Sequence, residues 1–74
     1  MVDPKNREMM QDFYRWIERY EEVTKMDQDS AAAFFKDAWN RLDEIIQKYD
    51  NVWAMWLAIG YYQALEAVYK EASK

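Results

Sequence analysis

Glycine and proline each occur only once in this chain of 74 residues, and that scarcity limits the folds open to it more than any other feature. Tight turns usually draw on both residues, whereas helix interiors exclude them. The chain also lacks low-complexity segments, long linkers and internal repeats. A mostly helical structure with short connections is therefore expected.

Three segments carry apolar residues at alternating spacings of three and four, which is the pattern of an amphipathic helix. The first follows Asp3-Pro4, a favoured N-cap and first-position pair. For the second, Asp29 or Ser30 is the preferred cap because an apolar run follows directly. We predict helices at about residues 4–26, 30–49 and 52–72.

The connection at Tyr49-Asp50-Asn51 contains no glycine, so Asp50 or Asn51 is expected to cap the third helix. Short connections place successive helices antiparallel. We therefore predict an all-α fold, an antiparallel up-down-up three-helix bundle, with residues 1–74 as one domain. The predicted core consists of Phe13, Ile17, Tyr20, Phe35, Ala38, Trp39, Leu42, Ile46, Leu57, Tyr61, Leu65 and Val68.

The third segment is apolar on nearly every side in its N-terminal half, and no charge occurs from residue 51 through residue 65. With Leu57 at the centre of the core-facing stripe, that stripe comprises Trp53, Leu57, Tyr61, Ala64, Leu65 and Val68. A surplus of apolar residues then points away from the core, with Gly60 beside it. The surplus consists of Val52, Met55, Trp56, Ile59 and Tyr62.

Several interpretations of this surplus are open at the level of sequence. The rings could cover the flank of the core, two copies could pair through the surplus, or a foreign protein could dock on it. A membrane span is disfavoured, because 14 uncharged residues make a helix of only ~21 Å against a hydrocarbon core of ~30 Å. Enrichment in Trp, Tyr and Met is typical of interface hot spots, and it favours a foreign protein anchored on Trp56 and Ile59. The predicted protein-binding residues are Val52, Met55, Trp56, Ile59, Gly60 and Tyr62.

The charge balance is 14 acidic against 10 basic residues, a net charge of −4. This excess argues against general nucleic-acid binding and against docking on anionic lipid, because both need basic surface. It leaves one further alternative, an acidic decoy that occupies a basic groove. The candidate face for that role carries Glu18, Glu21 and Glu22.

Cysteine and histidine are both absent, which excludes disulfides and removes the commonest metal ligand and general base. Asp27-Gln28-Asp29 has the spacing that starts a calcium loop, but Ala32 and Ala38 stand where glycine and glutamate are required. No enzyme activity, cofactor or metal site is expected. The polar N-terminal segment carries no apolar signal region, so a cytoplasmic location is expected. The sequence predicts a non-catalytic interaction module, a small acidic inhibitor or adaptor of natural or engineered origin.

Overall fold

The computed structural model describes residues 3–72, and every regular element in that range is helical. Helix α1 spans Pro4–Tyr20 and continues as a 3₁₀ turn, Glu21–Lys25. Helix α2 spans Gln28–Tyr49, and helix α3 spans Val52–Ala72. The prediction of an all-α fold is confirmed for these residues; residues 1–2 and 73–74 of the predicted domain lie outside the described range.

The end of the first helix differs from the prediction, because the α-helix stops at Tyr20 rather than near residue 26. The chain tightens into a 3₁₀ turn in which residues i and i+3 eclipse one another. Val23 in this turn and Tyr20 at its N-cap are both buried. The Met26 amide closes the turn by donating to the Val23 carbonyl at 3.1 Å.

The start of α2 also differs from the prediction. Asp27, rather than Asp29 or Ser30, is the N-cap, because its carboxylate accepts a hydrogen bond from the Ser30 amide at 2.9 Å. An N-cap carboxylate satisfies one of the free amides of the first turn. The helix therefore begins at Gln28, about half a turn earlier than expected.

The connection between α2 and α3 is as short as predicted. Asp50 adopts the left-handed conformation with φ 46° and ends α2, a role that Asp tolerates better than most residues. Asn51 caps α3 by accepting a hydrogen bond from the Ala54 amide at 2.8 Å. Of the two caps proposed from the sequence, Asn51 is the one used.

The core runs between all three helices. Its buried members are Met9, Phe13, Trp16, Tyr20, Val23, Ala38, Leu42, Tyr49, Ala54, Ala58 and Leu65. Five predicted core residues are buried, namely Phe13, Tyr20, Ala38, Leu42 and Leu65. Four more are half-buried and pack against the core, namely Phe35, Ile46, Leu57 and Tyr61.

Three predicted core positions are wrong. Ile17, Trp39 and Val68 are exposed rather than buried. Ile17 and Val68 line a groove between α1 and α3 that no further element covers within residues 3–72. Trp39 lies at the edge of α2, where the Tyr62 ring covers part of it at a centroid distance of 5.3 Å.

Contacts between the helices follow a consistent order. Tyr20, near the end of α1, donates to Asp37 in the first half of α2 at 2.6 Å. Asp12, earlier in α1, accepts from Tyr49 at the end of α2 at 2.5 Å. Residues near the end of α1 therefore contact the first half of α2, and residues earlier in α1 contact the end of α2.

The contacts of α3 follow the same rule against α2. Phe35 contacts Tyr69, and Trp39 contacts Tyr62, which lies earlier in α3. The Phe13 and Tyr61 rings, each near the middle of its helix, lie 5.1 Å apart. Across the described range, no helix combines the length and hydropathy that crossing a membrane requires.

Candidate functional site

The N-terminal half of α3 turns a different face to the core than its hydropathy suggests. Ala54 and Ala58, not Leu57, are fully buried here. Each residue advances the helix by about 100°, so the buried face is rotated by about one residue from the predicted one. Small side chains let the helix backbone approach the large core residues of α1 and α2 closely.

This rotation corrects the predicted core-facing stripe. Trp53 was assigned to that stripe and is exposed. Ala64 and Val68, assigned to the same stripe, are also exposed. The predicted stripe was centred on a large side chain, Leu57. In the structure the small Ala54 and Ala58 face the core instead.

Exposed apolar side chains crowd the first turns of α3. Val52 is 66 % exposed, Met55 is 43 % exposed, and Trp53 and Trp56 are each 64 % exposed. The two tryptophans are three residues apart, so they are neighbours on the helix surface. We call these four residues the α3 patch. It combines two large, rigid rings with a flexible thioether and a branched aliphatic side chain.

Two of the predicted surface residues have a different environment. Ile59 and Tyr62 are half-buried, and the Tyr62 ring packs edge-on against Phe35 at 6.0 Å and against Trp39 at 5.3 Å. They lie on the flank of α3 that faces α2. The α3 patch therefore contains Trp53, which the sequence placed in the core, and lacks these two.

Gly60 lies one turn beyond Trp56 on the same side of α3, since residues four apart share a face. A methyl group added at Gly60 would meet no atom within 4 Å. No backbone or ring of residues 3–72 therefore packs closely against Gly60. Gly60 is exposed and carries no side chain, so the helix surface is bare one turn beyond Trp56; we call this bare place the notch.

Sequence reasoning missed a polar cluster between α1 and α2. Asp12 accepts hydrogen bonds from the Tyr49 hydroxyl at 2.5 Å and the Lys48 ammonium at 3.0 Å. Lys48 also lies 3.6 Å from Glu8, and Arg15 lies 3.7 Å from Asp12. The second helix was predicted to end at residue 49, so a tyrosine hydroxyl at that end was the available signal.

The pKa values in this cluster follow from burial and hydrogen bonding. Burial acts most strongly on Asp12 and opposes ionisation, but the hydrogen bonds from Tyr49 and Lys48 prevail and lower its pKa. Burial and the bond to the Asp12 carboxylate raise the pKa of Tyr49. The hydrogen bond to Asp12 raises the pKa of Lys48. The cluster therefore holds an ionised carboxylate, an ammonium and a protonated hydroxyl at neutral pH.

A second interhelical bond joins Tyr20 to Asp37 at 2.6 Å. Burial first, and the acceptor Asp37 second, raise the pKa of the Tyr20 hydroxyl. Both tyrosines act as donors that fix one helix against the other. In residues 3–72, no set of three carboxylates converges closely enough to hold a metal ion.

Comparisons with protein-family models, with curated proteins and with solved structures returned no match. The surface of the chain is therefore the basis for a proposal about its function. The most distinctive part of that surface is the α3 patch.

Proposed function

We propose that this chain is a non-catalytic protein-binding module whose partner docks on the α3 patch. The observation that carries the proposal is the pair Trp53 and Trp56, two indoles left largely open to solvent next to each other. Tryptophan is the residue type most enriched among interface hot spots, because it buries a large area with few rotatable bonds. Val52 and Met55 extend the apolar area around the pair.

Gly60 supports the same surface. A glycine inside a helix costs about 1 kcal/mol relative to alanine, and nothing within residues 3–72 occupies the space beside it. A partner side chain would occupy the notch at Gly60 and pack against Trp56. The partner most compatible with this shape is an apolar helix or loop with one protruding side chain.

We also infer the helix arrangement that presents this surface, an antiparallel up-down-up bundle. The reversed order of the contacts between α1 and α2, and between α2 and α3, supports it. Spin labels at Glu8 and Lys48, whose charged atoms lie 3.6 Å apart, should report a short distance. Labels at Glu8 and Asp29 should be separated by about 30 Å, the length of α2 between residues 29 and 48. A parallel α2 would reverse the two distances.

The binding proposal is tested by affinity capture with three immobilised proteins: the wild type, Trp56→Lys and Tyr14→Lys. Tyr14 is the matched control, because it is 63 % exposed, is also aromatic and lies on α1. A partner that binds the wild type and Tyr14→Lys, and is lost with Trp56→Lys, is expected. The captured protein is then purified, and its dissociation constant is measured for all three.

Folding of each variant is checked by circular dichroism and urea unfolding. Because Trp56 is exposed, Trp56→Lys should change the free energy of unfolding by no more than about 0.5 kcal/mol. A loss of several kcal/mol would show that Trp56 supports the core, and the patch would not be a binding surface. A partner lost equally with Tyr14→Lys would also contradict the proposal.

A further inference from the structure

A second exposed apolar surface lies between α1 and α3, away from Trp56. A groove of about 280 Å³ runs there, and Ile17, Ala64 and Val68 form parts of its walls. All three are exposed. Met10 and Tyr14, on the same side of α1 as Ile17, extend the apolar surface toward the start of that helix and are exposed too.

The charges along this side of α1 are arranged with opposite signs at its two ends. Residues 7, 10, 14 and 17 follow helical spacing and so share one face of α1, and Glu21, at the start of the 3₁₀ turn, lines the same groove as Ile17. Arg7 stands at one end, Glu21 at the other, and Tyr14 lies midway, seven residues or about 10 Å from each. Neither Arg7 nor Glu21 forms an ion pair with any residue from 3 to 72.

The facing side of α3 has a matching asymmetry in size. Trp53 projects near its start, and the smaller Ala64 and Val68 line the groove toward its end. The midpoint between Trp53 and Val68 falls at Tyr61, whose ring lies 5.1 Å from that of Phe13. The row of residues from Arg7 to Glu21 and the row from Trp53 to Val68 are therefore centred at the same level of the molecule.

We propose that a second copy of this chain docks on the α1–α3 surface in antiparallel orientation, with the two-fold axis passing beside Tyr14 and Tyr61. Arg7 then faces Glu21 of the second copy, and Trp53 covers Ala64 and Val68 of the second copy. Each contact occurs twice, as a two-fold interface requires. The occupant is a second copy because this surface is complementary to itself in both charge and size.

The available area suits a weak dimer. The rows from Arg7 to Glu21 and from Trp53 to Val68 each span about 21 Å of the molecule's 41 Å length, so the contact covers about half of a long side and is smaller than the ~800 Å² per partner of a standard interface. The dimer covers Trp53 and leaves Val52, Met55 and Trp56 accessible. Trp53 belongs to both surfaces, so the dimer and a foreign partner on the α3 patch compete for it.

Charge exchange tests the proposed register. Sedimentation equilibrium from about 1 to about 200 µM is measured for the wild type, Arg7→Glu, Glu21→Arg and the double variant. Each single variant opposes two like charges and is expected to weaken the dimer about tenfold. The double variant restores opposite charges across the axis and should recover most of the wild-type affinity. If both single variants dimerise weakly and the double variant dimerises just as weakly, the proposed register is wrong.

A second measurement tests the surface itself. Tyr14→Lys places two ammonium groups at the axis, so it is expected to give a folded monomer over the whole concentration range. Trp56→Lys is the matched control and should remain dimeric. A wild type that is monomeric throughout would overturn the proposal. So would a dimer that survives Tyr14→Lys and dissociates with Trp56→Lys, which would assign self-association to the α3 patch.

Discussion

The contact between α1 and α2 and the contact of α3 with both are made in different ways. Between α1 and α2, the Trp16 indole donates to the Ala38 carbonyl at 2.9 Å, and the Tyr49 hydroxyl donates to Asp12. Helix α3 packs through aromatic rings and through two buried alanines. A hydrogen bond accepts one geometry, so it fixes which residues face each other. Aromatic rings and small residues can pack at several rotations of a helix about its axis. The space left between α1 and α2 therefore determines the rotation of α3.

The largest expected effect on stability comes from comparing a buried aromatic residue with a larger one that is exposed. Phe13 is fully buried where α1 meets α3, and Trp53 is larger but exposed. Phe13→Ala should lower the free energy of unfolding by about 3–5 kcal/mol, because it removes a buried ring and leaves a cavity. Trp53→Ala should change it by no more than about 0.5 kcal/mol. Urea unfolding at low protein concentration measures both.

A comparable cost for the two substitutions would mean that Trp53 reaches the core, as the apolar pattern of the sequence suggested. The rotation of α3 would then be wrong by one residue. Low concentration matters because self-association would bury Trp53 and add to its apparent cost.

The rotation of α3 can be tested directly at its buried alanines. Ala58→Leu inserts a larger side chain at a fully buried position and should cost about 1–3 kcal/mol through overpacking. Ala67→Leu is the matched control on the same helix, at an exposed position, and should stay within about 0.5 kcal/mol. If Ala58→Leu is neutral and Leu57→Ala is costly, Leu57 rather than Ala58 faces the core.

The helices of this protein were largely predictable, because each has a repeated apolar spacing and the caps of α1 and α3 are clear, whereas the cap of α2 was placed two or three residues too late. The stripes of α1 and α2 were sharp enough to identify Phe13, Ala38 and Leu42 as core. The orientation of α3 was not predictable, because a helix that is apolar all round offers no preferred face. Only the space left by large residues on the other helices selects Ala54 and Ala58, and sequence alone does not describe that space.

The polar cluster between α1 and α2 gives the next largest expected effect. Asp12→Ala leaves the hydroxyl of the buried Tyr49 without its acceptor and should cost about 1–3 kcal/mol. Asp43→Ala is the matched control, because within residues 3–72 Asp43 accepts a single side-chain bond, from the exposed Gln47, and should cost less than about 0.5 kcal/mol. Adding Tyr49→Phe to Asp12→Ala should recover part of the loss, since both partners are then removed. Equal costs for the two aspartates would show that the cluster does not hold α1 to α2.

The same cluster predicts how stability depends on pH. The pKa of Asp12 is lowered in the folded state, so its contribution is fully present above the ordinary value of 3.8 and is lost as pH falls through the lower folded value. The pKa of Tyr49 is raised, so its contribution is present below 10.0 and is lost as pH rises through the folded value. Urea unfolding at pH 7 and pH 3 should show a larger loss for the wild type than for Asp12→Asn. Equal losses would contradict the lowered pKa of Asp12.

The candidate site was predictable in part for the same reason as the fold. The position of the apolar surplus along α3 followed from the uncharged run, and Val52, Met55 and Trp56 are indeed exposed. The side of the helix depended on the rotation, so Trp53 was assigned to the wrong face. Sequence composition therefore located the surface along the chain, and packing determined which residues it contains.

Gly60 gives the smallest effect and separates the needs of the fold from those of binding. A methyl group at this position meets nothing within 4 Å, and alanine is the better helix former. Gly60→Ala should therefore raise the free energy of unfolding by about 0.5–1 kcal/mol, which thermal unfolding of a domain this size detects as a few degrees. If a partner side chain occupies the notch beside Trp56, the same variant should bind that partner more weakly while being more stable. If Gly60→Ala is more stable and binds with unchanged affinity, the binding surface excludes Gly60 and lies closer to Val52 and Trp53.

If Gly60→Ala is less stable than the wild type, the space beside Gly60 is not open as the structure has it.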